Sequence, residues 1–296
     1  MRKFTTDRAQ PVHFVAYSAG GDWIVALAGG RRQSKLVQFW SLAKAAAIRF
    51  PGVPTHAHRM AVARRADVIA VNLREKIGVY SRLGRVKELP SVQGRAFTEE
   101  LAVSEDGAVI AVGRVRVLEG GTTTRIELHP LYGGSRPREL GSSLVVGDLE
   151  FSPDGRLLAC GGSEGFTIWD LTRGESILAR PVTRGRCLAF SPDGRQLAVR
   201  SAEYVNLWDL GAVRFRQSLV GHQNLVSSLA FTPTGNLIAT GALDRTVRFW
   251  DFESGHVIHT YDWQIGPVHS IAFSPDGLTC AAGGESGEVV IWDVED

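Results

Sequence analysis

Apolar residues recur along this chain in short runs that carry hydrophobic side chains on both faces and stop at turn-forming residues. The clearest stretch lies between Gly221 and Asp251, where Val226 to Phe231, Leu237 to Thr240 and Thr246 to Asp251 are followed by a fourth run, His256 to Tyr261. Each run is short, rich in β-branched and aromatic residues, and predicts a strand. Between the first two, Thr232-Pro-Thr-Gly235 fits a type I turn, with Pro presetting φ and Gly closing it; Ser-Pro-Asp-Gly recurs at 152–155, 191–194 and 274–277. Patterns such as Leu229-Ala-Phe231 and Val247-Arg-Phe-Trp250 place apolar groups on both faces, as sheets packed between two neighbours require.

The pattern repeats. Aligned on the Phe before each turn, or its substitute, the chain shows Tyr17, Val62, Val103, Phe151, Phe190, Phe231 and Phe273. The matching end positions are Trp40, Tyr80, Leu128, Trp169, Trp208, Trp250 and Trp292, spaced 40, 48, 41, 39, 42 and 42 residues apart. A period of about 40 to 45 residues with a Trp-Asp ending predicts an all-β ring, a seven-bladed β-propeller with one four-stranded antiparallel blade per repeat. One propeller then occupies residues 1–296, with repeat cores at about 12–42, 57–81, 98–131, 146–171, 185–210, 226–251 and 268–293. The seventh repeat reaches only its third strand before the chain stops, so residues 2–7 are expected to supply the missing strand and close the ring, removing two sheet edges.

Composition bounds the function. With 44% hydrophobic and 22% charged residues the chain has a full core. No apolar run at the N-terminus suits a secretory signal and none later suits a membrane span, which predicts a cytoplasmic protein without membrane contact. The three cysteines, Cys160, Cys187 and Cys280, are odd in number, far apart and at strand positions, and are expected to be buried free thiols. Net charge is +2, yet residues 1–96 hold 17 Lys+Arg against 5 Asp+Glu, and residues 97–296 hold 16 against 26. That asymmetry concerns long-range field and partner choice.

Trp169-Asp170, Trp208-Asp209, Trp250-Asp251 and Trp292-Asp293, at this period, resemble the WD-repeat β-propeller family in its bacterial, stand-alone form. Repeats four to seven match in motif; repeats one to three match in period and apolar pattern. The resemblance implies a structural hydrogen-bond chain running from Trp250 through Thr240 and His222 to Asp244, with no catalytic role. It also implies that partners dock at the end of the ring formed by the loops between outer and next inner strands and between second and third strands. On that end fall Pro11 and His13, His56 and His58, Phe97 and Glu99, Val145 and Gly147, Arg184 and Arg186, Leu225 and Ser227, and Pro267 and His269.

Loop length adds to this. From the turn position to the end position the usual gap is 18 or 19 residues, but repeat one has 23 and repeat three 25. The first insertion carries Arg31 and Arg32; the second, from Val115 through Glu119-Gly-Gly121 to Ile126, reads as a hairpin bearing Arg116. Partner contacts are therefore expected at His13, Arg31, Arg32, His56, His58, Phe97, Arg116, Arg184, Arg186 and His269, with cations taking carboxylates and Phe97 acting as an apolar anchor. The function this predicts is a non-catalytic protein-interaction scaffold binding an acidic peptide or protein segment, as a monomer or within a hetero-complex, with no cofactor.

Two alternatives stand beside it. Arg64, Arg65, Arg74, Lys76, Arg82, Arg85 and Lys87, with Arg31 and Arg32, supply basic groups for nucleic acid or another anionic ligand, though no nucleic-acid module is present. His13, His58 and His269 occupy one position in adjacent blades, which raises a metal site and, through it, a metal-dependent propeller enzyme; no companion Cys or carboxylate is evident, so no metal is expected. Phosphate loops, dinucleotide fingerprints, His-Glu-x-x-His and nucleophile elbows are absent.

Overall fold

A computed structural model describes residues 1–30, 35–73, 76–90, 99–118, 121–134, 136–142 and 145–294. Seven antiparallel sheets form a seven-bladed propeller; in six of them the strands follow one another in chain order from inside to outside, and in the seventh the N-terminal strand takes the outer place. The inner strands are Val12–Tyr17, Arg59–Val62, Glu99–Val103, Val146–Phe151, Leu188–Phe190, Val226–Phe231 and Val268–Phe273. In blade one the outer position is shared, since Ala46–Ile48 and His56–Ala57 both pair with Lys35–Ser41. Blade three has the long hairpin, with Val109–Leu118 paired to Gly121–Pro130 from Val109↔Pro130 out to Leu118↔Gly121.

The turns between first and second strands carry the local chemistry that sets each blade's register. In blade four the Gly155 N–H donates to Ser152 O at 2.9 Å, and Gly155 takes φ 70°, which favours glycine. Ser152 Oγ accepts the Leu157 N–H at 2.8 Å and donates to Asp154 Oδ1 at 2.6 Å. Ser104-Glu-Asp-Gly107 of blade three repeats this pattern without proline, with Ser104 Oγ to Asp106 Oδ1 at 2.6 Å. Turn geometry thus persists where the surrounding motif has drifted.

No blade holds a core of its own. Seven apolar clusters are present among the described residues, and each lies between two adjacent blades. Leu229 and Phe231 of blade six pack with Ala198, Val205 and Leu207 of blade five, and Val15 and Tyr17 of blade one with Ala281, Val289 and Ile291 of blade seven. At one position the inner strands carry a small residue, Ala16, Ala61, Ala102, Ala189, Ala230 and Ala272, with Glu150 there in blade four. Two residues earlier, side chains tie neighbouring inner strands. Asp148 Oδ2 accepts the Leu188 N–H at 2.8 Å, Ser228 Oγ the Ile271 N–H at 3.0 Å, and Ser270 Oγ the Val15 N–H at 2.9 Å.

The N-terminal strand closes the ring. Arg2–Thr5 pairs antiparallel with the last strand, Glu288–Asp293, from Arg2↔Ile291 to Thr5↔Glu288. Phe4 is buried in the interface between blades seven and one, beside Val289 and Ile291.

Blade six is joined by a further hydrogen-bond chain. The Trp250 indole Nε1–H donates to Thr240 Oγ1 at 2.8 Å, Thr240 Oγ1 lies 2.7 Å from His222 Nε2, and His222 Nδ1 lies 2.8 Å from Asp244 Oδ2. A neutral imidazole protonated on Nδ1 satisfies every link, because Thr240 then donates to Nε2. Burial holds His222 below its ordinary value despite Asp244. For Asp244, burial works upward, but bonds from Thr246, the Gln223 N–H and His222 outweigh it and hold the carboxyl at about 2. At the Thr240 register other blades carry Cys160, Val199 and Ala282, and the indole N–H groups of Trp169, Trp208 and Trp292 are buried without an acceptor. Each such orphan donor costs about 1–3 kcal/mol.

Two outcomes follow for stability. Phe4→Ala should cost about 3 kcal/mol, and deleting residues 1–10 should cost more; an unchanged melting temperature would show that the strap does not hold the ring. Both groups of the His222–Asp244 pair sit below their ordinary values, so both stabilise at neutral pH and lose that effect in acid. The His222 contribution fades as pH falls below its ordinary 6.5, and that of Asp244 as pH falls from its ordinary 3.8 towards 2. His222→Gln should therefore flatten the fall in melting temperature between about pH 7 and pH 5; equal slopes for variant and wild type would contradict the neutral-imidazole assignment.

Candidate functional site

The ring has two unlike ends. One is built from the Ser-x-Asp-Gly turns, whose polar groups are consumed within the turn. The other gathers the loops that enter each inner strand, and there several charged groups remain uncommitted.

At that second end, Arg184 and Arg186 are exposed, and neither guanidinium makes a hydrogen bond or ion pair among the described residues. Their loop is nonetheless rigidly held. Arg200, buried beneath it, donates from Nε to Arg184 O at 2.8 Å and from Nη1 to Val226 O at 3.0 Å, clamping blade five to blade six. Arg184 itself adopts φ 57°, a strained choice for a residue with a side chain, and the Arg186 N–H donates to Arg184 O at 2.7 Å. The Arg186 stem lies over Gly147 of blade four; a Cβ at 147 would come within 2.8 Å of Arg186 Cγ, so a larger residue there would have to displace the Arg186 side chain. Beside Arg184 a groove of about 530 Å³ runs between blades five and six, lined by Glu203, Tyr204, Val220, Gln223 and Asn224 among others.

Across the ring the mouth is lined by histidines and a charge cluster. The His13 and His269 rings stack, with centroids 5.1 Å apart. His13 Nε2 is 2.8 Å from Gly29 O and His269 Nε2 is 2.6 Å from Glu285 Oε2. Burial, with Lys35 adding to it, lowers His13 to about 4, so it is neutral at pH 7 and donates to Gly29 O. Arg59 of blade two pairs with Glu100 of blade three, Nη2 to Oε1 at 2.9 Å. Burial pushes the Glu100 carboxyl up, opposed by Arg59, Arg186 and Lys35.

Of the residues expected at the site, the structure brings together His13 and His269 at one side of the mouth and Arg184 and Arg186 at another. His58 enters blade two through its N–H to Asn72 O at 2.8 Å. His56 is displaced: it is exposed in the strand His56–Ala57 on the outer side of blade one, with Nδ1 3.1 Å from Thr55 Oγ1, because that segment completes blade one before the chain turns inward. Arg116 lies in the long hairpin, opposite Thr123; its side chain, together with all of Arg31, Arg32 and Phe97, lies outside the described residues. Arg59, Glu100 and Lys35 were not among the residues expected. Their signal was available, since Arg59 and Glu100 stand one register beyond the positions chosen, in adjacent blades.

The basic N-terminal sector is largely paired. Arg64 reaches Glu150 at 2.8 Å, Arg65 Glu105 at 2.8 Å, Lys76 Glu88 at 3.0 Å, and Arg85 Glu88 at 2.7 Å. Arg82 takes Asp22 at 2.7 Å and Asp67 at 2.6 Å, and Lys87 Nζ donates to Pro130 O at 2.5 Å. Arg74 lies outside the described residues. Among the described residues no three His, Cys, Asp or Glu side chains are arranged to hold a metal ion, and the three cysteines are buried and free.

Comparison with known proteins agrees with the architecture. A family model described as WD domain, G-beta repeat matches residues 136–170, 214–251 and 255–293. Each matched stretch begins at or near an outer strand and ends on the third strand of the next blade, so the sequence repeat is offset from the blade by one strand. The chain is 29% identical to Protein groucho of Drosophila melanogaster over 124 residues, covering 40% of this chain and 17% of that protein. It is 41% identical to Protein Mut11 of Chlamydomonas reinhardtii over 49 residues, 17% of this chain and 13% of the relative. With the Notchless protein homolog of Arabidopsis thaliana it shares 35% identity over 52 residues, 18% and 11% of the two chains. These matches span less than a fifth of each relative's own length. A model of the WD repeat thus matches this chain in three places, and the described residues form a seven-bladed β-propeller.

Proposed function

We propose that this propeller is a non-catalytic interaction scaffold whose loop-bearing end takes an acidic segment of a protein partner. The observation that carries the reading is the pair of exposed guanidiniums, Arg184 and Arg186, without ion-pair partners among the described residues, on a loop fixed from below by Arg200. Guanidinium forks favour carboxylates, and a rigid loop loses little entropy when it binds them. The groove beside Arg184 offers Tyr204 and Val220 to an apolar residue of the segment, and Gln223 and Asn224 to its backbone.

The alternative of a nucleic-acid surface on blades one to three is weakened by the ion pairs that occupy Arg64, Arg65, Lys76, Arg82 and Arg85. Cations already neutralised by local carboxylates release few counterions and bind phosphate poorly. No helix among the described residues is long and apolar enough to cross a membrane. A cytoplasmic scaffold acting alone or in a hetero-complex fits this reading, and neither a metal nor a cofactor enters it.

Affinity capture from source-cell lysate, with and without nuclease, tests the reading. A stoichiometric protein partner should survive nuclease and be lost with the folded double variant Arg184→Glu, Arg186→Glu. A partner retained by that variant would move the site elsewhere, and one that disappears with nuclease would favour the nucleic-acid alternative.

A further inference from the structure

Blade three differs from its neighbours at the end of the ring that carries the turns. Its second strand opens with Val109, the place that Trp23 holds in blade one. There the indole packs edge-on against Phe39 and Phe50, with ring centroids 5.5 and 5.0 Å away, and fills the interface to blade two. Valine is too short to do this. A cleft of about 310 Å³ opens instead between blades three and four, walled by Val109, Leu128, Pro130, Phe151 and Leu171. Leu128 and Phe151 belong to the buried core of that interface, and Val109 and Leu171 pack at its margin.

The same blade has a longer connection between its third and fourth strands. In blade four Asp170 ends the third strand, and its Oδ1 accepts the Thr172 and Arg173 N–H groups at 2.9 and 3.1 Å, which closes the turn within 171–174. Blade three ends that strand on Pro130, which has no side-chain acceptor, and its connection runs over 131–137. Arg136 on it is exposed, lines the cleft, and makes no hydrogen bond or ion pair among the described residues. Arg138 is spent, since its Nη1 donates to Leu171 O across the interface. Asp106 and Asp154, from the turns of blades three and four, complete the rim. Bonds from Ser104 and the Ala108 N–H hold Asp106 below its ordinary value; at Asp154 burial works upward, but bonds from Ser152 and the Arg156 N–H outweigh it. Both carboxylates are therefore charged at neutral pH.

The cleft thus joins an apolar floor to one cation uncommitted among the described residues and to two anions. Small-molecule sites combine an apolar body with a few polar groups that fix orientation, and their volumes begin at about 300 Å³. This one has room for a single small ligand. An aryl carboxylate would meet two aspartates, and an aryl amine would meet Arg136. We propose that the cleft binds a free amino acid with an aromatic side chain, its ring on Val109, Leu128 and Phe151, its carboxylate on Arg136 and its ammonium on Asp106 and Asp154. The ring does for this interface what Trp23 does for that of blade one, and it packs against the Phe151 ring. A guanidinium fork matches the carboxylate. The site lies at the opposite end from Arg184 and Arg186 and stands whether or not an acidic segment docks there.

Saturation-transfer NMR titrations of L-tryptophan, indole-3-propionate and tryptamine against wild type, Arg136→Ala, Val109→Trp and Arg184→Glu test this. L-tryptophan should bind wild type saturably and about tenfold more tightly than either analogue, since each analogue lacks one charge-assisted contact. Arg136→Ala should lose about tenfold for the same reason. Val109→Trp should abolish binding by filling the cleft, and Arg184→Glu should bind as wild type does. Arg136→Ala alters an exposed side chain without partners among the described residues, so it keeps the fold and decides the case if Val109→Trp does not fold. No saturable binding to wild type, equal affinity for either analogue, unchanged affinity in Arg136→Ala, or lost binding in Arg184→Glu would each overturn the proposal.

Discussion

Burial between blades, never within one, is the constraint on which this structure rests. A four-stranded sheet this short has two apolar faces and cannot cover either, so each blade is stable only with a neighbour on both sides. The ring must then close, and Arg2–Thr5 closes it by pairing with the final strand of the seventh sheet. The same constraint accounts for the row of alanines on the inner strands. A larger apolar side chain there would overfill a core that tolerates little added volume, and the one exception, Glu150, carries its carboxylate away to Arg64.

This constraint is weaker on motif than on pattern, which is why blades one to three have drifted without losing their place. They keep alternating apolar runs, and blades one and three keep a serine in the turn, while Tyr80 and Leu128 replace the tryptophan. Only blade six has the complete Trp250, Thr240, His222, Asp244 chain among the described residues, and other blades leave indole donors unpaired. Blades one to four are instead laced by ion pairs, including Arg64 of blade two to Glu150 of blade four. Exposed pairs of this kind contribute little singly, about 0–1 kcal/mol. Their larger effect is to spend much of the basic charge of blades two and three, while Arg184 and Arg186 of blade five stay outside the ion pairs of the described residues.

Much of the fold was legible in the chain because its signals are local. Gly after Ser-Pro-Asp, Trp-Asp at a fixed spacing, and a missing last strand all report on neighbours in sequence, and the hairpin at Val109–Leu118 and Gly121–Pro130 was readable from its β-branched arms and central glycines. The site was less legible, because its charges meet only after closure. Nothing in the sequence near Lys35 announces Glu100, which comes from another blade. Arg59 and Glu100 sit one residue past the positions that family placement suggested; their inner strands lack the bulge that blades one, four, six and seven have at this point, as between Val146 and Asp148. His56 failed for a related reason, since the short strand completing blade one was hidden in a loop of weak pattern.

Hydrogen–deuterium exchange of the full chain, with and without decaglutamate, tests the central claim most directly, because it reports where an acidic segment lands. Protection is expected in peptides covering Arg184 to Cys187, Tyr204 and Val220 to Asn224, with the Ser-x-Asp-Gly turns of the opposite end unchanged. Protection confined to those turns, or spread evenly over the basic blades, would contradict the account.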